Sequence, residues 1–285
     1  AEKSRKQGQN GNSEVKMRFG IRAHNISCAG LRDLSARLAT LGIDTIQLAL
    51  AKSLPDFKKG SFTPSYARKI KEAFSSNGIN VAVLGAYINC IHPIQASRIY
   101  ELDYFREQLK FAKFMGADMV GLETSSMDTP DRESAYKCVL ESMRELVSAA
   151  ESLGVMIGIE GVYVHVINTP DMMYRLVNDL NSPNVGVIFD PVNYLSYDNY
   201  AEQKSIIKRH FELLGDVTYA VHIKDFKIEN GCLSDALPTE GIFDFDTLFS
   251  EIKKRKKDIP MLLETVGEDN FTEIAAKLDS RYEHA

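Results

Sequence analysis

Val155 to Glu160 reads VMIGIE, and three later stretches repeat its form: VGVIFD from Val185 to Asp190, VTYAVH from Val217 to His222, and PMLLE from Pro260 to Glu264. Each is an apolar run that ends in a side chain able to bind a metal ion. Runs of this kind, without strict alternation, are expected of strands covered on both faces by helices, as in an all-parallel sheet. A parallel β/α barrel collects its functional residues at the carboxyl ends of successive strands, all on one face. The four runs therefore predict an α/β protein of the (β/α)8 TIM barrel class, with Glu160, Asp190, His222 and Glu264 converging on that face.

Working outward, the same alternation continues in both directions. MRFGIRAHNI (17–26) precedes a helix over LRDLSARLATLG, GIDTIQLAL one over TPSYARKIKEAFSSNG, and INVAVLGAYIN one over ASRIYELDYFREQLKFAKFMG. ADMVGLET (117–124) precedes a helix in which Val139, Leu140, Met143, Leu146, Val147 and Ala150 recur at i, i+3 and i+4, the stripe of a helix packed on a sheet. Helices over Thr169–Leu180, about Tyr200–Leu214, FDFDTLFSEIKKRKK (243–257) and a last one near Phe271 bring the count to eight units. Several helices stop at glycine, as at Leu153-Gly154. A doubly wound sheet is the rival, but no GxGxxG follows the first strand.

A chain of 285 residues with 44% hydrophobic content suits one barrel domain, which typically needs ~250 residues. Residues 1–16 are polar and aperiodic and read as a flexible arm, leaving 17–285 as the barrel. The net charge of −5 argues against a nucleic-acid partner, which calls for a basic footprint. The basic run at 253–257 ends an amphipathic helix, where it complements the negative helix end and stays solvated. No run of ~18 apolar residues indicates a membrane span. Cysteines 28, 90, 138 and 232 form no CxxC pair and read as buried thiols in a reducing, cytoplasmic compartment. The aromatic stretch YLSYDNY (194–200) offers a lid or a homo-oligomer contact.

Two glutamates, an aspartate and a histidine make a mostly oxygen site suited to one divalent metal ion: Mn²⁺, Mg²⁺ or Co²⁺, with Zn²⁺ admitted through the imidazole. Such an ion can polarise a carbonyl and acidify the neighbouring C–H. A carboxylate on each side of that carbon could then remove and return a proton, the arrangement needed to isomerise or epimerise a small-molecule sugar substrate.

Other polar residues near strand ends are candidate substrate contacts: His24, His92, Glu123 and His165, with loop or core histidines and a paired carboxylate as the alternative. Alternation along a strand points Lys224 the same way as His222, to hold a substrate oxygen or phosphate, or else to pair with Glu264 or Asp190; Asp225 points away unless the strand has ended.

IGIEGVYVHVINTP, VGVIFDPVNY, VHIKD, EGIFDF and LLET, in that order, resemble the xylose isomerase-like sugar isomerase/epimerase superfamily, which includes ketose 3-epimerases, hydroxypyruvate isomerases and inosose-processing enzymes. The resemblance covers Met17 to the end. It implies that Glu160, Asp190, His222 and Glu264 are metal ligands and that Glu160 and Glu264 double as acid and base. The ketose epimerases carry a His three residues beyond the metal Asp, where this chain has Asn193, and an Arg six beyond the metal His, where it has Ile228. An inosose-type dehydratase would use the same site, and an abasic-site endonuclease on this barrel is the remote alternative.

Overall fold

The computed structural model describes residues 19–126, 129, 131–255 and 258–285. The arm at 1–16, and Lys256 and Lys257 of the basic run, lie outside the described residues. Eight parallel strands close into a barrel: β1 (Phe19–Arg22), β2 (Thr45–Leu48), β3 (Asn80–Gly85), β4 (Met119–Glu123), β5 (Met156–Glu160), β6 (Val185–Phe189), β7 (Thr218–Ile223) and β10 (Met261–Leu263), with β10 pairing both β7 and β1. The (β/α)8 barrel expected from the four runs is thus the fold observed.

Around it run α1 (Leu31–Thr40), α3 (Pro64–Ser75), α4 (Gln95–Met115), α5 (Arg132–Leu153), α6 (Pro170–Leu180), α7 (Gln203–Leu214), α8 (Phe245–Lys254) and α9 (Phe271–His284), with a short α2 (Leu50–Ser53) after β2. The predicted stripe of α5 is buried except for Leu140, which is half-buried, and the helix ends with Gly154 at φ 65°, a conformation glycine adopts without a Cβ clash. Thr169 caps α6, its side chain accepting from Met172 N with proline at the first turn.

Two hydrophobic clusters divide the core. The larger lies between barrel and helices, and the smaller, of Ala82, Val83, Met119, Ile188, Ala220 and Leu262, fills the barrel. Gly158 makes room within it, since a Cβ there would stand 2.7 Å from Met119 Sδ and 2.8 Å from Ile188 Cγ1. That plug of side chains leaves chemistry to the rim above it. No helix among the described residues is long and apolar enough to cross a membrane.

The seventh unit differs from expectation. Between β7 and α8 the chain inserts an antiparallel hairpin, β8 (Asp225–Glu229) and β9 (Cys232–Ala236), turning at Asn230 and Gly231 with φ 52° and 76°. Positive φ at both turn residues is what an Asn-Gly two-residue hairpin turn requires. Asp225 does mark the end of the barrel strand, and its carboxylate is buried, accepting from the backbone amides of Phe226 (2.8 Å), Thr239 (3.0 Å), Gly241 (2.9 Å) and Phe243 (2.9 Å). One buried side chain thereby satisfies four amides and pins both ends of the insertion. Asp225→Ala is expected to lower the unfolding free energy by about 3 kcal/mol and to open the hairpin to protease, because buried donors lose their acceptor. Urea unfolding and limited proteolysis measure this; an unchanged midpoint would show the four bonds to be dispensable.

Two smaller expectations are corrected. Only Cys90 is fully buried; Cys28 and Cys138 are half-buried and Cys232 is exposed on β9, because that strand belongs to the solvent-facing hairpin. Within the basic run, Lys253 donates to the carbonyls of Glu283 and Ala285, Lys254 pairs with Glu251, and Arg255 pairs with Asp216 and donates to the Phe211 carbonyl. These charges staple neighbouring segments together as well as facing water.

Candidate active site

The strand ends bring Glu160, Asp190, His222 and Glu264 together, all buried. His222 Nδ1 lies 3.3 Å from Glu160 Oε1, 3.3 Å from Glu264 Oε1 and 3.9 Å from Asp190 Oδ2. One ligand atom each of Glu160, Asp190 and His222 fall within 4.8 Å of one another. Two features make this set fit a metal ion. Asp190 Oδ1 accepts from the amides of Val192 and Asn193, whereas its buried Oδ2 has no hydrogen-bond partner. Lys224 Nζ approaches that oxygen only to 3.8 Å, and a buried carboxylate oxygen without a hydrogen bond is costly unless a cation completes it. The second feature is the ring of His222: Nε2 stands 2.6 Å from Gln47 Oε1, an amide oxygen that can only accept, so Nε2 carries a proton and Nδ1 is the nitrogen left to face the carboxylates, as a donor or, with its proton displaced, as a metal ligand.

The electrostatics favour a cation at the same point. Burial works against a charged His222, but Glu160 and Glu264 outweigh it and push its pKa up to about 9. A divalent ion would compete with that proton for the same field. Burial pushes Asp190 up to about 6 despite Lys224. Glu264 resists burial because His222, Lys224 and Arg22 hold its pKa down; Arg22 Nη1 is 2.9 Å from its Oε1 and Lys224 Nζ 3.5 Å from its Oε2.

Lys224 also donates to Asn193 Oδ1 at 3.0 Å, and Asn193 Nδ2 donates to Glu160 Oε1 at 2.7 Å. Of the two readings open in the sequence, the structure has Lys224 paired with Glu264 and, at 3.8 Å, with Asp190. Glu123 and Glu160 are register partners on β4 and β5. Burial first, then Glu160, Glu264 and Asp190, raise the Glu123 pKa to about 7. Glu123 and His165, 3.8 Å apart, line a cavity of about 350 Å³ with Tyr87, Ile88, Asn89, Ser125 and Ser126.

His24 lies in the turn after β1, lowered to about 4 by burial and by Arg22 and Lys52. His92 is not drawn in: its Nδ1 accepts from the Ile94 amide at 3.1 Å, which places it in a local turn. Sequence reasoning missed Arg22, Gln47, Lys52 and Tyr87. Of these Gln47 left a signal, as the one amide inside the apolar run IQLAL. Thr265, directly after Glu264, has φ 58°, an uncommon and strained conformation for a β-branched residue.

A family model described as xylose isomerase-like TIM barrel matches residues 35–282. The chain belongs to that family. Curated relatives of this xylose isomerase-like barrel include an inosose isomerase of Bacillus velezensis, 24% identical over 222 residues that make up 75% of each chain. A probable endonuclease 4 of Mycoplasma mobile is 22% identical over 201 residues, 67% of this chain and 71% of that one. Among solved structures, the IolI protein with a bound zinc atom superposes with a TM-score of 0.73 at 20% identity, covering 93% of this chain and 95% of that one. The relatives of this xylose isomerase-like chain are thus enzymes, and one neighbour in fold holds zinc.

Proposed function

We propose that the chain is a divalent-metal-dependent isomerase or epimerase of a small sugar or related hydroxy-carbonyl compound, acting by proton transfer between Glu264 and Glu160. The observation that supports this reading is the buried Asp190 Oδ2, without a hydrogen bond, beside Glu160, Glu264 and the Nδ1 of His222. Glu160, Asp190, His222 and Glu264 would hold the ion, Mn²⁺, Mg²⁺, Co²⁺ or Zn²⁺, which when bound supplies Lewis-acid polarisation of a substrate carbonyl.

The chain's own residues do the rest. Glu264, kept ionised by Arg22 and Lys224, is ready to take a proton from carbon. Asn193 fixes the Glu160 carboxylate through Oε1, aiming it to return a proton from the other side. Gln47 sets the tautomer and plane of His222.

One observation favours a second reading. Glu123, raised to about 7, carries a proton near neutrality at the cavity wall and could give it to a departing hydroxyl, as an inosose-type dehydratase requires. The nuclease reading draws support only from the distant Mycoplasma mobile relative, against a net charge of −5 and an Asn at 193.

The test is NMR of the metal-loaded protein with ketoses, aldoses and inososes in deuterated water. Deuterium entering one carbon of an isomeric product is the expected result, loss of water moves the assignment to the lyase, and no reaction together with no metal uptake sinks both.

A further inference from the structure

Among the described residues five positions other than glycine have positive φ. Two are asparagines, Asn181 at the end of α6 and Asn230 in the hairpin turn, a residue type that enters the left-handed region readily. The other three carry hydroxyls and lie beside the candidate site. Ser125 (φ 65°) lines the cavity of Glu123 and His165, Thr239 (φ 78°) gives its amide to Asp225, and Thr265 (φ 58°) directly follows Glu264. A β-branched side chain in this region crowds its own backbone where glycine would not. Thr265 therefore keeps a conformational cost next to a candidate metal ligand, and its side chain has to offset it.

The hydroxyl of Thr265 does so by tying segments together. Its proton is shared between the carbonyl of Glu264 at 2.6 Å and that of Ala236 at 3.3 Å. Ala236 is the register partner of Asp225, whose carboxylate is fixed by four backbone amides, so the far end of this tie is anchored. Other segments hold the same stretch of backbone. The Glu264 amide donates to the Ile223 carbonyl of β7 at 3.0 Å, and the carbonyl of Val266, itself fully buried, accepts from Asn25 Nδ2 in the turn after β1 at 3.0 Å. Strand alternation already turns Glu264 inward, since Leu262 fills the barrel. Alternation does not settle where the strand stops. The left-handed turn at Thr265 stops it at the carboxylate, and a functional carboxylate has to be held to about 0.5 Å.

We propose that Thr265 is a positioning residue for Glu264. Its hydroxyl and left-handed backbone hold the Glu264 peptide between β7 and the inserted hairpin, so that the carboxylate stays where Arg22, Lys224 and His222 converge. The role rests on the isomerase reading above, in which Glu264 is both metal ligand and base, and it gives the hairpin a share in aiming that base.

The test is a double-mutant cycle read by calorimetric titration of the full chain with zinc or magnesium, alongside turnover by NMR. Thr265→Gly, which admits the left-handed turn but lacks the hydroxyl, should weaken metal binding and slow turnover by about tenfold each, the loss usual when a group that orients a ligand is removed. Its melting temperature without metal should stay within about 2 °C of the wild type, because relieved strain and lost hydrogen bonds oppose each other. Thr265→Ser, which retains the hydroxyl, should bring both metal affinity and turnover to within about twofold of the wild type. In a Glu264→Gln background, Thr265→Gly should weaken metal binding by less than about twofold further, since the side chain it positions is already gone. The role is overturned if Thr265→Gly keeps wild-type affinity and turnover, if its effect is as large in the Glu264→Gln background as alone, or if Thr265→Ser does no better than Thr265→Gly. Any of these in a wild type that takes up metal and turns over refutes only the role of Thr265, whereas a wild type that takes up no metal refutes it together with the isomerase reading.

Discussion

Glu264→Gln and Glu160→Gln are each expected to cut turnover by about 10²–10⁴-fold, the range lost when a positioned acid or base is removed, yet the two variants should fail differently. Glu264 is the carboxylate clamped by Arg22 at 2.9 Å and Lys224 at 3.5 Å, which keeps it ionised and able to accept the first proton. Without it the substrate C–H should stop exchanging with solvent altogether. Glu160 takes its hydrogen bond from the Asn193 amide at 2.7 Å and has no lysine or arginine within ion-pair distance among the described residues. Its loss should leave deuterium entering the starting sugar while no epimer forms. NMR in deuterated water, with metal content measured on each sample, separates these patterns. Exchange retained in Glu264→Gln and lost in Glu160→Gln would reverse the two roles, and full turnover in both would remove them.

The second large effect concerns Asp190. Asp190→Asn keeps an oxygen for the amides of Val192 and Asn193 but replaces the carboxylate Oδ2, which has no hydrogen bond, with an uncharged group. Ligand sets of four are worth about 10–16 kcal/mol for zinc, so one ligand is worth roughly 3 kcal/mol, about a hundredfold in metal affinity. Stability should move the opposite way in the metal-free protein. There the wild-type carboxylate is buried with Glu160 and Glu264, and burial opposes its charge, so removing it should raise the chelated protein's melting temperature. Saturating metal should stabilise the wild type by about 3 kcal/mol more than the variant, the hundredfold difference in affinity expressed as linkage. A variant that binds metal as tightly as the wild type would place Asp190 outside the ligand set.

How far the site was legible follows from where its members lie in the chain. Glu160, Asp190, His222 and Glu264 could be read because each closes an apolar run, and parallel register carries such ends to one rim. Lys224 followed from two-residue alternation beyond His222. Gln47 could not be paired with His222 by any spacing rule, for 175 positions separate them. Arg22 and Lys52 meet the site only because the barrel closes β1 against β10 and α2 folds over the turn after β1. The hairpin is a different kind of miss. Asn230-Gly231 between Ile228 and Cys232 is a strong short-range turn signal, but a regular strand-helix repeat has no place for a hairpin between β7 and its helix.

That hairpin has a bearing on how such a site diversifies. β7 and β10 pair directly with each other, so β8 and β9 add nothing to the barrel ladder and can vary in length without cost to it. Its first residue follows Lys224 and its last, Ala236, accepts a hydrogen bond from Thr265. Changes in this insertion would therefore be felt first at Lys224 and Thr265, on the rim of the candidate site, and not in the barrel ladder. The rim can thus be reshaped from one side while the barrel that sets the four strand-end residues stays as it is.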